Sequence, residues 1–257
     1  MNAITIDGPA ASGKSTVGYR VGQRLDFLFF DTGVMYRAVA WAILEEDIDS
    51  TDSDAVGRIA EKLPIAISVP TSGQSDGRQA TVKIDERDIT WAIHSPRVDR
   101  IVSLVAANSQ VRHELSRQQR RIGLAHGSGE GEQAGVVMVG RDIGTVVLPE
   151  APLKIYLHAP VEERARRRFQ ENAARGKEPD FPQILIDMRL RDDIDSHRAV
   201  APLRPAQDAH QIQTHGSSIN QIVGQILALA SEQLGAEPFP TRGEDSAADG
   251  ATGADQA

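Results

Sequence analysis

The 257-residue chain contains no cysteine. Disulfides, thiol catalysis and cysteine-ligated metals are therefore excluded. No apolar run approaches the roughly 18 residues of a membrane span. No basic-then-apolar leader opens the sequence, so a soluble, cytoplasmic protein with no membrane partner is expected. There is no internal repeat. Basic residues are scarce at the C-terminal end: 236–257 carries Glu237, Glu244, Asp245, Asp249 and Asp255 against Arg242 alone, half of the net charge of −8. The body is thus only mildly acidic, which argues against a general nucleic-acid binder. The Gly, Ala, Asp, Thr and Pro content of 236–257 predicts a disordered tail.

What is present is ordinary for a globular protein, with 40% hydrophobic and 25% charged residues, and long enough to bury a full core. One string stands out. Gly8-Pro9-Ala10-Ala11-Ser12-Gly13-Lys14-Ser15 fits G-x-x-x-x-G-K-[ST]. The apolar run Ala3–Ile6 before it reads as a buried strand. After it, Val17, Val21 and Leu25 recur on one helical face. Strand, glycine loop and helix together form a phosphate cradle: glycines let the backbone wrap around oxygens, and N–H groups and a helix N-terminus face the anion. Lys14 would reach the outer phosphates, and the Ser15 hydroxyl suits Mg²⁺.

Further strand-length apolar runs are Phe27–Phe30, Val136–Val139 and Leu153–Leu157, with a weaker one at Gln211–Thr214. Helical stretches separate them, which predicts an α/β fold: a three-layer core around a central parallel sheet. Residues 64–95 differ. Ile65–Val69 and Thr81–Asp85 alternate around a polar stretch, as in a small antiparallel insert with one wet face. The glycine-rich stretch 127–135 reads as a loop, and 161–204 as arginine-rich helix.

Four more charged clusters could carry chemistry. Asp31-Thr32-Gly33 through Arg37 follows a strand and opens a helix, where ligands gather in open α/β sheets; a helix cap with a solvated arginine is the plain alternative. Gly140-Arg141-Asp142-Ile143-Gly144 ends another strand, and its alternative is a tight turn with a surface ion pair. Arg191, Asp195 and Arg198 share one helical face, as a solvated salt-bridge ladder also would. Arg164 and Arg168 share a face too, either gripping one anion or lying on a basic surface. These cations exceed what one nucleotide needs and suit two phosphorylated substrates meeting head to head.

Taken in order, these strings, with Arg198-Ala199-Val200-Ala201-Pro202-Leu203 at the end, closely resemble bacterial cytidylate kinases over about residues 3–234. The resemblance implies a P-loop core (1–63, 96–160 and 205–235), a CMP-binding insert (64–95), a helical lid (161–204) and a tail outside the family. It implies that Gly8, Pro9, Ala10, Ala11, Ser12, Gly13, Lys14, Ser15 and Thr16 bind ATP, with Mg²⁺ at Ser15. Arg37, Arg141 and Arg198 would hold the CMP phosphate, Arg191 and Asp195 the ribose near Thr32. Ser103, Arg112 and Asp142 would read the cytosine, the first two on the looser match of Val98–Arg121. Lys14, Arg141 and a lid arginine, Arg164 or Arg168, would serve catalysis in a monomer taking ATP and CMP or dCMP.

The sequence departs little from that pattern. Pro-Ala-Ala-Ser fills the loop, Thr32 replaces a serine found in some relatives, and 127–135 is long. Readings other than this resemblance are a different small-molecule P-loop kinase, an RNA binder using the arginines, and a GTPase-like switch. The last lacks any N-K-x-D motif.

Overall fold

A computed structural model describes residues 1–70, 76–129, 133–176 and 178–239. In chain order, β1 (Ala3–Asp7), α1 (Lys14–Leu25), β2 (Phe27–Asp31), α2 (Gly33–Glu45) and α3 (Ser53–Lys62) lead to three short strands, β3 (Ile65–Ser68), β4 (Thr81–Ile84) and β5 (Arg87–Asp88). Then come α4 (Pro96–Ala107), α5 (Ser109–Gly127), β6 (Gly135–Gly140), β7 (Leu153–His158), α6 (Val161–Ala174), α7 (Phe181–His197), β8 (His210–Gln213) and α8 (Ile219–Leu234).

The central sheet has the order β2-β6-β1-β7-β8 with every pairing parallel. Its strands are covered on both faces, which explains their unbroken apolar runs. The period-two pleat sorts side chains into two cores. Ile4, Ile6, Phe29, Val137 and Val139 pack with Val17 and Val21 of α1 and Ile222 and Ile226 of α8. Phe30, Val136 and Met138 pack on the opposite side with Met35 and Val39 of α2, Val102 of α4 and Leu115 of α5. The result is the expected three-layer α/β arrangement.

The insert forms an antiparallel sheet of order β3-β4-β5. Ile65, Ile67 and Ile84 point their apolar side at the α2 core. The alternation in the sequence marks β3 and β4; β5 is added by a turn at Asp85, whose φ is 50°, too short a strand to show periodicity. Residues 130–132 of the glycine-rich stretch and 240–257 of the tail lie outside the described residues. Of the tail expected to be disordered, residues 236–239 are described. The Phe239 N–H donates to the Arg24 carbonyl at 2.7 Å and Arg24 Nε donates to the Phe239 carbonyl at 3.1 Å, which straps this segment to the end of α1. Among the described residues no helix is long and apolar enough to cross a membrane.

β7 places a lysine inside its apolar run. Lys154 Nζ reaches Asp208 at 2.7 Å, so its stem is buried while its charge meets an exposed partner. Loss of the lysine charge leaves Asp208 exposed and hydrated, so little is forfeited with the pair, whereas truncating a close-packed aliphatic leaves a cavity. Lys154→Met should therefore change unfolding free energy by less than about 1 kcal/mol. Ile155→Ala, one residue on, should lose about 3 kcal/mol, both read from urea midpoints.

Candidate functional site

The carboxyl ends of β1, β2 and β6 meet at one place, where parallel α/β sheets bind ligands. The loop after β1 needs its first glycine: Gly8 has φ 150°, and a Cβ there would sit 2.1 Å from the Leu157 carbonyl oxygen. Gly13, at φ 92°, turns the chain into α1. Lys14 opens that helix and is buried, with Nζ donating to the Pro9 carbonyl at 2.7 Å. The Ser15 hydroxyl donates to Asp31 Oδ2 at 2.6 Å, across from β2.

Between these ends and the helices lies a cavity of about 190 Å³. Lys14, Ser15, Asp31, Thr32, Tyr36, Arg37, Arg112, Arg141, Asp142, Arg168, Arg191, Asp195 and Arg198 line it. Carboxylates thread among the cations. Arg112 pairs with Asp142 at 2.7 Å, both buried. Arg198 lies 3.4 Å from Asp142 and 3.4 Å from Asp195, and Arg141 Nε donates to Asp195 at 2.9 Å. Arg37 holds Asp99 at 2.9 Å and the Ile93 carbonyl at 3.0 Å. Thr32 Oγ1 donates to the Val139 carbonyl at 2.9 Å, which ties β2 to β6. Arg191 Nε is buried with no hydrogen-bond partner among the described residues.

Burial and mutual repulsion make this a strongly cationic chamber. Burial, then Arg141, push Lys14 well below its usual value. The same two causes push Arg191 down to about 10. Burial raises the Asp195 carboxyl, but the Arg141 and Arg191 charges outweigh it and hold it below the ordinary range. Asp7, at the end of β1, is pushed up to about 6 by burial, against two backbone N–H bonds that favour its charged form. Cations held at such cost, one with an unmatched donor, have the chemistry that suits a polyanion.

The structure brings the expected Lys14, Ser15, Thr32, Arg37, Arg112, Arg141, Asp142, Arg191, Asp195 and Arg198 to one wall. Ser103 is not on it; this half-buried residue of α4 follows the wall residue Val102. The two lid arginines separate. Arg168 lines the cavity. Arg164 lies beneath the phosphate loop, where it donates to Ala159 O at 3.0 Å, Ala10 O at 3.2 Å and Asp192 Oδ2 at 2.5 Å. These bonds tie α6 to the loop and to α7. Asp7 and Asp99 have no expected role in the sequence, and Asp31 and Tyr36 enter it only as members of the cluster from Asp31 to Arg37. Asp31 and Asp7 each end a strand, a signal that could have found them. Asp99 is marked only by its approach to Arg37 in space.

A second cavity of about 450 Å³ adjoins the first, between the insert and α6. It shares Lys14, Ser15, Asp31, Arg37 and Arg168, and adds Thr16, Arg78, Trp91, His94 and Arg175. The Ser15 hydroxyl and Asp31 carboxylate, already in contact where the cavities join, are hard oxygen donors of the type that Mg²⁺ takes. Among the described residues there is no cluster of three His, Asp or Glu that would hold a metal by protein ligands alone. The donor set therefore fits a metal that arrives with phosphate oxygens.

A family model described as cytidylate kinase matches residues 4–232. A cytidylate kinase of Roseiflexus castenholzii is 45% identical, over 90% of this chain and 94% of its own. One from Chloroflexus aggregans is 45% identical over 87% and 91%. One from Bacillus subtilis is 38% identical over 90% and 97%.

Arg164 and Arg168 give opposite expectations. Arg164→Met leaves the Asp192 carboxylate and two carbonyls without their cation. It should cost about 3 kcal/mol and lower the melting temperature by on the order of 10 °C. Arg168 is half-exposed beside Glu171, and Arg168→Met should leave the melting temperature within about 1–2 °C of the parent. Thermal unfolding by circular dichroism separates them.

Proposed function

The chain belongs to the cytidylate kinase family, and from that premise we propose how its own residues carry the reaction. The enzyme transfers the γ-phosphoryl group of ATP to CMP or dCMP, giving ADP and the nucleoside diphosphate. An oxygen of the acceptor phosphate attacks the γ-phosphorus, and the bond from that phosphorus to the bridging oxygen of ADP breaks. A phosphate monoester is largely ionised near neutral pH, with a second pKa of about 6, so no general base is required. The obstacle is the approach of two polyanions and the charge spread over the transferring group.

Lys14 and the loop N–H groups take the ATP phosphates, and Arg37, Arg141 and Arg198 take the acceptor phosphate. Asp195 and Arg191 take the ribose. Arg168 is the lid arginine assigned to the transferring group, since it lines both cavities. Ser15, with Asp31, is the position for Mg²⁺, which when bound adds positive charge on the phosphate oxygens. The insert and α6–α7 act as the acceptor flap and lid; their closure excludes water and suppresses hydrolysis of ATP. Asp142 accepts from the exocyclic amine of cytosine and repels the oxygen that uracil carries there, while Arg112 faces the ring acceptors. All these groups come from one chain, so the proposal is of a monomer.

The observation that carries this reading is the cavity joining the phosphate loop to a buried Arg112–Asp142 pair and five further arginines. The test is ADP formation with ATP and Mg²⁺ against CMP, dCMP, UMP, AMP and GMP. Turnover far higher with CMP and dCMP is expected, and preference for another acceptor would overturn the base-reading assignment. Lys14→Ala should lower kcat by roughly 10²–10³-fold. Asp142→Ala should reduce the CMP to UMP ratio of kcat/KM by at least about tenfold while the enzyme still turns over; an unchanged ratio removes Asp142 from recognition.

A further inference from the structure

Asp142 occupies an unusual place for a residue whose carboxylate faces a ligand cavity. It precedes the short helical turn Ile143–Val147, and its own carbonyl accepts from Val146 N at 2.9 Å and Val147 N at 3.2 Å. That is the position from which an aspartate ordinarily folds back to cap the first N–H groups of a helix. Here it does not: Asp142 makes no capping bond. The first two N–H groups of the turn go instead to a carboxylate from another strand. Ile143 N donates to Asp7 Oδ1 at 2.9 Å, and Gly144 N donates to Asp7 Oδ2 at 2.8 Å. Asp7 is buried at 4% exposure. It ends β1, pairs in register with Gly140, and is the residue immediately before Gly8.

We propose that Asp7 is a positioning residue for base selection: by capping the Ile143–Val147 turn in trans, it frees the Asp142 carboxylate to face the nucleobase pocket. The inference rests on the assignment of Asp142 to the cytosine amine. Without Asp7, the two N–H groups lose their acceptors in a buried place, where unpaired donors are costly. Asp142, at the cap position, carries a carboxylate that could turn back to the Gly144 N–H. Its rotation there would withdraw it from Arg112 and Arg198, and so from the base. The same contact joins the root of the ATP loop to the base-reading turn through a single side chain. Gly144 belongs to the device. A Cβ there would come 2.9 Å from Thr5 Oγ1, closer than contact allows, and 3.3 Å from the Lys154 side chain, so a side chain at 144 would push against the turn where it rests on the carboxylate.

The experiment is a double-mutant cycle on substrate discrimination with the full chain. Asp7→Asn keeps the size and one acceptor oxygen but sets an amide against the second N–H. It should lower the CMP to UMP ratio of kcat/KM by about tenfold and raise KM for CMP, with KM for ATP unchanged within about twofold. If Asp7 acts through Asp142, adding Asp7→Asn to Asp142→Ala should reduce the ratio no further. A full multiplicative loss in the double variant, or equal increases in both KM values with the ratio intact, would overturn the proposal and leave Asp7 a general structural residue. Gly144→Ala displaces the turn from the other side and takes over the test if Asp7→Asn does not fold; the same loss of ratio is expected of it, and an intact ratio overturns the proposal. The controls keep the two readings apart. An unaltered ratio in Asp142→Ala alone defeats the base-reading assignment. A lowered ratio there with an unaltered one in Asp7→Asn defeats only the role of Asp7.

Discussion

Repulsion among buried cations is the constraint to which the rest of this molecule answers. Lys14, Arg112, Arg141, Arg191 and Arg198 reach one cavity wall from four stretches of chain, where each loses hydration and feels the others. Such a cluster cannot be left alone in a low-dielectric chamber. The carboxylates of Asp142 and Asp195 are interleaved with the arginines for that reason, each touching two of them. The pairs hold long side chains in place before a ligand arrives, which lowers the ordering cost of binding. They also leave a net positive field, seen in the depressed proton affinities of Lys14 and Arg191. A phosphate group entering there relieves repulsion as well as making bonds.

The scaffold explains how so many charges can be brought together without unfolding the protein. A parallel sheet puts the carboxyl ends of its strands on one edge, and β1, β2 and β6 are neighbours there although β6 is more than a hundred residues from β2 in sequence. Their apolar bodies are buried on both faces, so the polar residues that follow each strand are the first free to face solvent or ligand. Arg164 extends the frame outward by tying α6 to the Ala10 carbonyl and to Asp192. The tie leaves Arg168, one turn further along, free to face the cleft. Two arginines one turn apart on the same face of α6 thus meet different surroundings, set by how far along the helix each stands from the loop.

Much of this is legible in the chain. The apolar runs announce the strands because burial on both faces demands them, and the G-x-x-x-x-G-K-[ST] string carries its chemistry in its spacing. The charged clusters at strand ends are readable by the same logic, which is why Asp142, Arg141, Arg37 and Thr32 could be picked out. β5 was invisible because two residues have no period. Asp31 and Asp7 end strands, which marks their position but not their partners; the significance of each lies in what it touches, the Ser15 hydroxyl in one case and the N–H groups of Ile143 and Gly144 in the other.

The sequence by itself determined the layer architecture, the phosphate loop and the inventory of cations, since these depend on local periodicity, backbone freedom at glycine and residue chemistry. The tertiary structure decided the pairings: which carboxylate restrains which arginine, that Arg164 lies beneath the loop while Arg168 lines the cleft, that Ser103 stands off the cavity wall, and that Asp7 caps a turn 136 residues away. The physical reason is that a side chain's type is inherited from its codon, whereas its partner is set by distance. Distances among residues far apart in sequence exist only once the sheet has assembled.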